Sequence, residues 1–382
     1  MSKDLGYEYD IEIPAYVAVS HYCNIRCSYC YVPEANKSNR EEIDRTALET
    51  AKKLREKAHK ERFAFNNVYL HGAEPTTLSP KVFAEVVEIL GSICTSDTVG
   101  VQSNGVGLNH KYHERMGDLS KKLKIGFTLD LPPSAHDLNR QKTYQRVLKN
   151  LVIARDLGYR YRVLCGITSE TVKNLKETKE AVEYLHEHHP AMAIAFKPIS
   201  GESRMGPKQR KRWGDFLANH GWYDYDHSVW GNLCQTNGNG CFWLEFCANG
   251  DVTSCNKEFD HSKSFANWHD EGIQTIVNRR RTLFQNYKIG VKCFGCKYWS
   301  VCKGGCPVDR YEVPENVVDE NGVRISRVDT KTLDCETRIQ IFKRLEASDI
   351  DPLKAIKKLP TYHRQNQYKR WVAVGKRLGF RS

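Results

Sequence analysis

The chain has 382 residues, of which 40% are hydrophobic, and carries 58 Lys and Arg against 46 Asp and Glu for a formal net charge of +12. That length buries a large core and allows two or three domains, the hydrophobic content excludes a disordered chain, and no run of 18 apolar residues offers a membrane-spanning helix. The positive field favours acidic partners, namely an acidic peptide, a phosphorylated metabolite or nucleic acid, although a merely solvated basic surface has the same composition.

The first residues, Met1 to Gly6, lack an apolar signal region, so a cytoplasmic location is expected. In a reducing compartment the 14 cysteines point to metal binding or catalysis and not to disulfides.

In chain order, Tyr16 to Ser20 reads as a strand and leads directly into Ser20 to Tyr31, where Cys23, Cys27 and Cys30 stand in C-x3-C-x2-C spacing. Three closely spaced thiolates are a ligand set. A cubane iron-sulfur cluster has four irons, so three cysteines leave one iron open to substrate or cofactor. Zinc is the alternative reading, but a C-x2-C zinc site pairs with a second such element or a His pair, and none lies nearby in the sequence.

Beyond the loop the pattern alternates. Helix 41–59 is followed by strand 67–71, helix 80–90, strand 99–103, helix 110–119, strand 125–130, helix 143–157, strand 161–165, helix 172–188 and strand 191–196. Each parallel connection needs a crossover helix, so six such units predict an α/β fold around a parallel sheet. In a closed or partial parallel barrel, chemistry sits at the carboxyl ends of the strands. The unusual residues fall there: the cysteine loop after the first strand, Gly72-Ala73-Glu74-Pro75 after the second, Gln102-Ser103-Asn104-Gly105 at the third, and Thr128-Leu129-Asp130 followed by His136-Asp137-Leu138-Asn139-Arg140 at the fourth.

Residues 201–226 turn basic and irregular, with Lys208, Arg210, Lys211 and Arg212 together, and read as a solvated bridge. Without an aromatic stacking platform this stretch does not read as a nucleic-acid site. From Cys234 to Cys335 the chain is cysteine-rich. Phe242 to Phe246 and Val252 to Cys255 flank an Asn249-Gly250 turn and read as a hairpin. Cys293, Cys296, Cys302 and Cys306 follow in C-x2-C-x5-C-x3-C spacing, with a lone Cys335 beyond. By spacing alone, those four read as one local site, with zinc as a candidate metal. A helix at 338–346 and a basic tail at 362–382 close the chain.

The cysteine loop, the Gly-Ala-Glu-Pro stretch, the Gln-Ser-Asn-Gly stretch, the Thr-x-Asp and His-Asp-x-x-Arg pair and the later cysteines resemble the SPASM branch of the radical S-adenosylmethionine (SAM) superfamily. The resemblance covers residues 14–335. It implies a partial (β/α)6 barrel over 1–200, a bridge at 201–233, a cysteine-rich SPASM domain at 234–335 and a C-terminal helix with basic tail at 336–382. It further implies that Cys23, Cys27 and Cys30 hold a SAM-binding 4Fe-4S cluster and that two auxiliary 4Fe-4S clusters follow, one on Cys234, Cys241, Cys255 and Cys306, the other on Cys293, Cys296, Cys302 and Cys335. Cys94, Cys165 and Cys247 are left as free thiols, with Cys247 a spare candidate for the first auxiliary site.

For SAM itself, the resemblance implies that Tyr29 lies near the adenine, that Gly72, Ala73 and Glu74 hold the amino group, and that Gln102 belongs to the site. Thr128 would bond the carboxylate or ribose, Arg140 would pair with the carboxylate, and Leu164 with Cys165 would wall the adenine. A surface helix cap is the plain reading of Arg140, and a buried strand that of Leu164 and Cys165. Alanine at 73, where the family has glycine, requires a negative φ.

The activity so implied is reductive cleavage of SAM to a 5'-deoxyadenosyl radical, which abstracts hydrogen from a substrate C–H bond. Modification of a ribosomal peptide, by cross-linking or macrocyclisation, is the leading expectation. Tailoring of a small acidic metabolite such as a sugar or nucleotide is the alternative, and sulfatase maturation ranks below both. Expected partners are an electron donor such as flavodoxin or ferredoxin and, because the first strand begins without a preceding leader-binding module, a separate leader-recognition protein. Neither a membrane nor a nucleic-acid partner is expected. Sulfatase maturases place aspartate after the cysteine corresponding to Cys255; here the residue is Asn256, which cannot act as a general base near neutral pH. Glu258 or Asp260 would have to be re-aimed to replace it.

Overall fold

A computed structural model describes residues 4–30, 40–190, 192–199, 205–222, 243–253, 264–285, 293, 295–302, 335–352 and 354–355. The first part of the chain alternates strand and helix: β1 (Ile11–Ala18), α1 (Arg40–Glu61), β2 (Phe63–His71), α2 (Pro80–Ser92), β3 (Val99–Ser103), α3 (His110–Met116), β4 (Leu123–Thr128), α4 (Pro133–Asn139), α5 (Tyr144–Asp156), β5 (Arg160–Ile167), α6 (Ser169–Lys173), α7 (Leu175–His188) and β6 (Ala193–Pro198). There follow α8 (Pro207–Asn219), β7 (Leu244–Cys247), β8 (Asp251–Thr253), β9 (Ala266–Asn267), α9 (Ile273–Gln285), α10 (Trp299–Cys302) and α11 (Cys335–Ala347). Among the described residues no helix is long and apolar enough to cross a membrane.

The strands form one sheet in the order β6-β5-β4-β3-β2-β1-β7-β8-β9. Consecutive strands from β1 to β5 pair in parallel, as crossover helices require. With β6 next to β5, this order is consistent with a partial (β/α)6 barrel. The hairpin read from sequence as the start of the cysteine-rich region is paired into the same sheet: β7 runs parallel to β1, with Ala15 to Ala18 facing Leu244 to Cys247, and β8 returns antiparallel across a turn at Gly250.

Strand alternation sorts the side chains. Phe127 and Val147 of α5 both crowd Gly105, so Phe127 and its same-face neighbour Ile125 point to the helices, and Lys124, Gly126 and Thr128 point to the inner face. The helices bury apolar stripes against the outer face, as at Ile43, Ala47, Ala51, Leu54 and Ala58 of α1. Acidic Glu41 and Glu42 in its first turn and His59 and Lys60 in its last suit the helix dipole.

By contacts the chain divides into two compact units: 1–195, 199–203 and 242–280 form the first; 196–198, 204–241 and 281–382 form the second. In the second unit, the stretch expected to be an irregular bridge contains α8. Its signals are Pro207 at the first helical position and apolar Trp213, Phe216 and Leu217 at helical spacing, masked in the sequence by the run of basic residues. Arg210, expected on a solvated face, is buried and donates its Nε–H to Met205 O at 3.0 Å; its basic neighbours Lys208, Lys211 and Arg212 are not. Thr337 of α11 donates its hydroxyl to Arg210 O at 3.0 Å, tying α8 to α11.

Candidate active site

The loop after β1 places Cys23 and Cys27 half-buried and Cys30 exposed, none of them in a disulfide. Two neighbouring loops hold it from one side. The Glu74 N–H donates to Tyr22 O at 3.0 Å, and the Asn104 amide donates to Asn24 Oδ1 at 2.7 Å and reaches Cys23 Sγ at 3.7 Å. From the other side, the end of α4 and the residues after it form a clamp. Arg26 N–H donates to Gln141 Oε1 at 2.9 Å, Ser28 N–H to Asn139 O at 2.9 Å, and Ser28 Oγ to Asn139 Oδ1 at 2.5 Å. Gln141 and Lys142 both hold φ at 56°, the left-handed region that is costly for residues with a Cβ.

Burial pushes the Cys23 thiol up and the Cys27 thiol to about 12, with Arg140 pulling Cys27 back and the sulfurs raising one another. Thiolates penalised by burial and mutual repulsion form when a metal supplies positive charge. A set of three cysteine sulfurs outside any disulfide, two of them half-buried and served by an amide donor and a guanidinium, therefore fits an iron cluster. Among the described residues no group of three or more His, Cys, Asp or Glu is placed to hold a single metal ion as it stands.

The second motif follows β2. Gly72 takes φ +100°, and a Cβ there would lie 2.8 Å from Ala18 Cβ and 3.4 Å from Ser20 O, so only glycine lets this turn pass so close to the end of β1. Ala73 is not among the described non-glycine residues with positive φ, which are Arg62, Gln141, Lys142 and Asp349, so alanine fits where the family has glycine. Glu74 is buried and its carboxylate is already engaged. Oε1 accepts from Thr76 N at 3.0 Å, Thr76 Oγ1 at 2.6 Å and Ser103 Oγ at 2.8 Å; Oε2 accepts from Asn104 N at 2.6 Å. Burial raises its pKa, and these donors counter the rise only in part.

Tyr29, Asp130 and Arg140 form one buried network. Tyr29 OH donates to Asp130 Oδ2, Gly166 N–H donates to Asp130 Oδ1 at 2.9 Å, and Arg140 Nη1 donates to Tyr29 OH at 3.0 Å. Burial raises the pKa of Asp130 against the pull of Arg140. Burial also works against the charge on Arg140, but Tyr29, Asp130 and Cys27 outweigh it and hold its pKa above the ordinary value. Arg140 is thus no surface cap. Its Nε–H is buried without an acceptor among the described residues.

His136 anchors the segment that carries Arg140. Its Nδ1 accepts from Asp130 N–H at 3.1 Å, and its Nε2 lies 3.0 Å from Thr143 Oγ1, which donates its own proton to Arg140 O at 2.8 Å. The ring is therefore neutral with the proton on Nε2. Burial, helped by Arg140, lowers its pKa to about 3.

The remaining expected SAM contacts lie on the inner face. Gln102 Nε2 donates to Thr128 Oγ1 at 3.0 Å, and Thr128 pairs in register with half-buried Leu164. Cys165 points to the opposite face and is buried, as are Cys94 and Cys247; none of the three is in a disulfide. Asp130, His136, Ser103 and Asn104 join the networks around the predicted residues, although the sequence reading gave them no role beyond membership of the motifs. Asn139 and Gln141 had no legible signal, since their role rests on bonds across more than a hundred residues.

In the second unit, Cys293, Cys296, Cys302 and Cys335 are all half-buried, and none is in a disulfide. The Cys296 N–H donates to Cys293 O at 3.2 Å and the Cys302 N–H to Tyr298 O at 2.8 Å, which curls this stretch into successive turns. The stretch packs on one face of α11. Arg338 Nη1 reaches Cys302 Sγ at 3.4 Å, the Tyr298 and Phe342 rings are 5.1 Å apart, and Tyr298 OH donates to Glu346 Oε2 at 2.8 Å. Cys335, three residues before Arg338, shares that face. Cys234, Cys241, Cys255 and Cys306 lie outside the described residues, as does the basic tail.

Residues 17–186 match the family described as the radical SAM superfamily. The cysteine-type anaerobic sulfatase-maturating enzyme of Clostridium perfringens is 19% identical over 321 residues, covering 74% of this chain and 85% of that protein. Among solved structures, native anSMEcpe with bound AdoMet and Cp18Cys peptide is similar at TM-score 0.65 and 16% identity, covering 91% of this chain and 99% of that one. Streptococcus suis SuiB bound to precursor peptide SuiA is similar at TM-score 0.54 and 13% identity, covering 78% and 72%. The chain carries a radical SAM domain and is an S-adenosylmethionine-dependent enzyme. Its sequence and fold resemble the SPASM-type branch, where sulfatase maturases and peptide modifiers are its neighbours.

Proposed function

We propose that this radical SAM enzyme modifies a ribosomal peptide by abstracting hydrogen from one of its C–H bonds. When bound, a 4Fe-4S cluster and SAM supply reductive cleavage of SAM and the radical that takes the hydrogen. Cys23, Cys27 and Cys30 would hold that cluster. The observation that carries the SAM assignment is Arg140, whose buried Nε–H lacks an acceptor among the described residues while its guanidinium is fixed by Tyr29 beside Cys27. It would receive the SAM carboxylate as a charge-assisted partner.

Because the carboxylate of Glu74 is consumed by four protein donors, it would shape the turn at Gly72 and Ala73, leaving the carbonyls of that turn for the amino group. Tyr29 would border the adenine from the loop, with Gln102, Thr128 and Leu164 completing the wall. Cys293, Cys296, Cys302 and Cys335 would hold one auxiliary cluster on the face of α11, and Cys234, Cys241, Cys255 and Cys306 the other. A peptide substrate is supported by the peptides bound to anSMEcpe and SuiB.

The test is anaerobic reconstitution followed by turnover with SAM, reductant and a candidate precursor peptide, read by mass spectrometry. About twelve irons per chain are expected, with 5'-deoxyadenosine formed and a mass change confined to the peptide. The variant C23A/C27A/C30A should lose one cluster and all SAM cleavage; 5'-deoxyadenosine from that variant would refute the site.

A further inference from the structure

The inner face of the sheet is chemically two-sided. On β1, β2 and just before β7 it is aromatic: the rings of Tyr16 and Trp243 stack at 4.5 Å, and Tyr69 lies 6.0 Å from Tyr16 and 5.9 Å from Trp243. Tyr69 leans over Gly100 of β3, where a Cβ would stand 2.1 Å from its ring. On β4 and β5 the same face is cationic. Lys124 pairs in register with Arg160, and two residues further on Arg162 pairs with Gly126. The Arg162 guanidinium sits 5.4 Å from the Tyr69 ring centroid, which fixes its direction toward the inner face.

This arrangement suits an anion. Like charges opposite each other on neighbouring strands are destabilising, and among the described residues Lys124, Arg160 and Arg162 have no carboxylate partner. Glu245, on the same face, is already engaged by His71 at 3.4 Å and Thr253 at 3.5 Å. Arg162 is half-buried and held by a ring instead of an acid, so its fork remains open to carboxylate or phosphate. Along β5 it stands two residues before Leu164 and four before Gly166, the residue bonded to Asp130; at about 3.3 Å per residue it lies within about 15 Å of the Tyr29 network.

We propose that Arg162, with Lys124 and Arg160 behind it, is a specificity-determining residue that reads an acidic side chain of the substrate peptide on the inner face, while Tyr16, Tyr69 and Trp243 receive its apolar part. The inference rests on the peptide-modifying reading above and names the class of peptide as acidic.

Calorimetric titration of the reconstituted, SAM-loaded chain tests it with three probes: acetylated, amidated tetraglutamate, its tetraglutamine counterpart, and inorganic phosphate. Tetraglutamate should bind at least tenfold more tightly than tetraglutamine. Arg162→Gln should erase that preference, Arg162→Lys should keep part of it, and Lys176→Gln on the solvent side of α7 should change nothing. Equal loss in Lys176→Gln, or an unchanged preference in Arg162→Gln, would overturn the inference, as would no binding to the wild type. If phosphate alone binds in an Arg162-dependent way, the anion site stands and the peptide reading falls in favour of a phosphorylated metabolite. If no probe depends on Arg162, the anion site falls while the peptide reading keeps its own product assay. Should Arg162→Gln not fold, the exposed double variant Lys124→Gln/Arg160→Gln carries the same test.

Discussion

The hydroxyl of Tyr29 stands between a buried carboxylate and a buried guanidinium, so its removal strands both. Tyr29→Phe should lower stability to urea by about 1.5–3 kcal/mol, the range for hydrogen bonds to charged groups. Arg140→Ala should weaken SAM binding by about 1.5–3 kcal/mol while leaving the iron content of the chain unchanged; an unaltered SAM dissociation constant would remove Arg140 from the cofactor site. His136 sets an acid limit. Its pKa falls from an ordinary 6.5 to about 3 on folding, so between those values the unfolded chain binds the extra proton and stability declines as pH falls. Protonation of the unfolded ring should cost about 2 kcal/mol between pH 7 and pH 5. Denaturation at both pH values should show that slope in the wild type and a flatter one in His136→Gln.

At the scale of elements, Gly72 is where β2 can pass β1 into the site. Gly72→Ala meets both a positive φ and the Ala18 Cβ, and should cost more than about 1 kcal/mol and release iron from the cysteine loop, as melting and iron assays would show. Within the second unit, Trp213→Ala on α8 should cost about 3–5 kcal/mol, since the indole is fully buried between Phe196 and Phe216. Much of this layer was legible in the sequence. β3 has the bounds that its apolar run predicts, and β4 and β5 shift by two residues or fewer at their starts, because crossover units combine two periodicities that are hard to confuse. β1 begins five residues earlier than its apolar run, since Ile11 to Ala15 includes a proline and a register shift that break the pattern. α8 was hidden by its four basic residues, of which Arg210 turns inward. In the site, the motifs point to Tyr29 on the loop after β1, Glu74 on the turn after β2 and Arg140 at the end of α4. What each carboxylate or guanidinium bonds to depended on residues far away in the chain, and local spacing does not encode that.

For the whole molecule, the cysteine sets predict distinct iron losses. Replacing Cys293, Cys296, Cys302 and Cys335 by alanine should remove about four irons per chain without abolishing SAM cleavage, whereas an unchanged iron count would show that those thiols hold no cluster. Asn256 in place of aspartate predicts no formylglycine from a sulfatase-motif peptide after anaerobic turnover, with aldehyde formation by mass spectrometry as the contrary result. The placement of β7 beside β1 also bears on synthesis. The second side of β1 is covered only when Leu244 to Cys247 leave the ribosome, long after β2 is complete at His71. At ~5–20 residues per second, that delay is on the order of ten to thirty seconds. Through that interval the nascent chain offers an unpaired strand edge to any neighbour, including another copy on the same polysome. Translation speed and chaperone supply thus become determinants of yield, and a chain cut short before Trp243 keeps that edge open permanently.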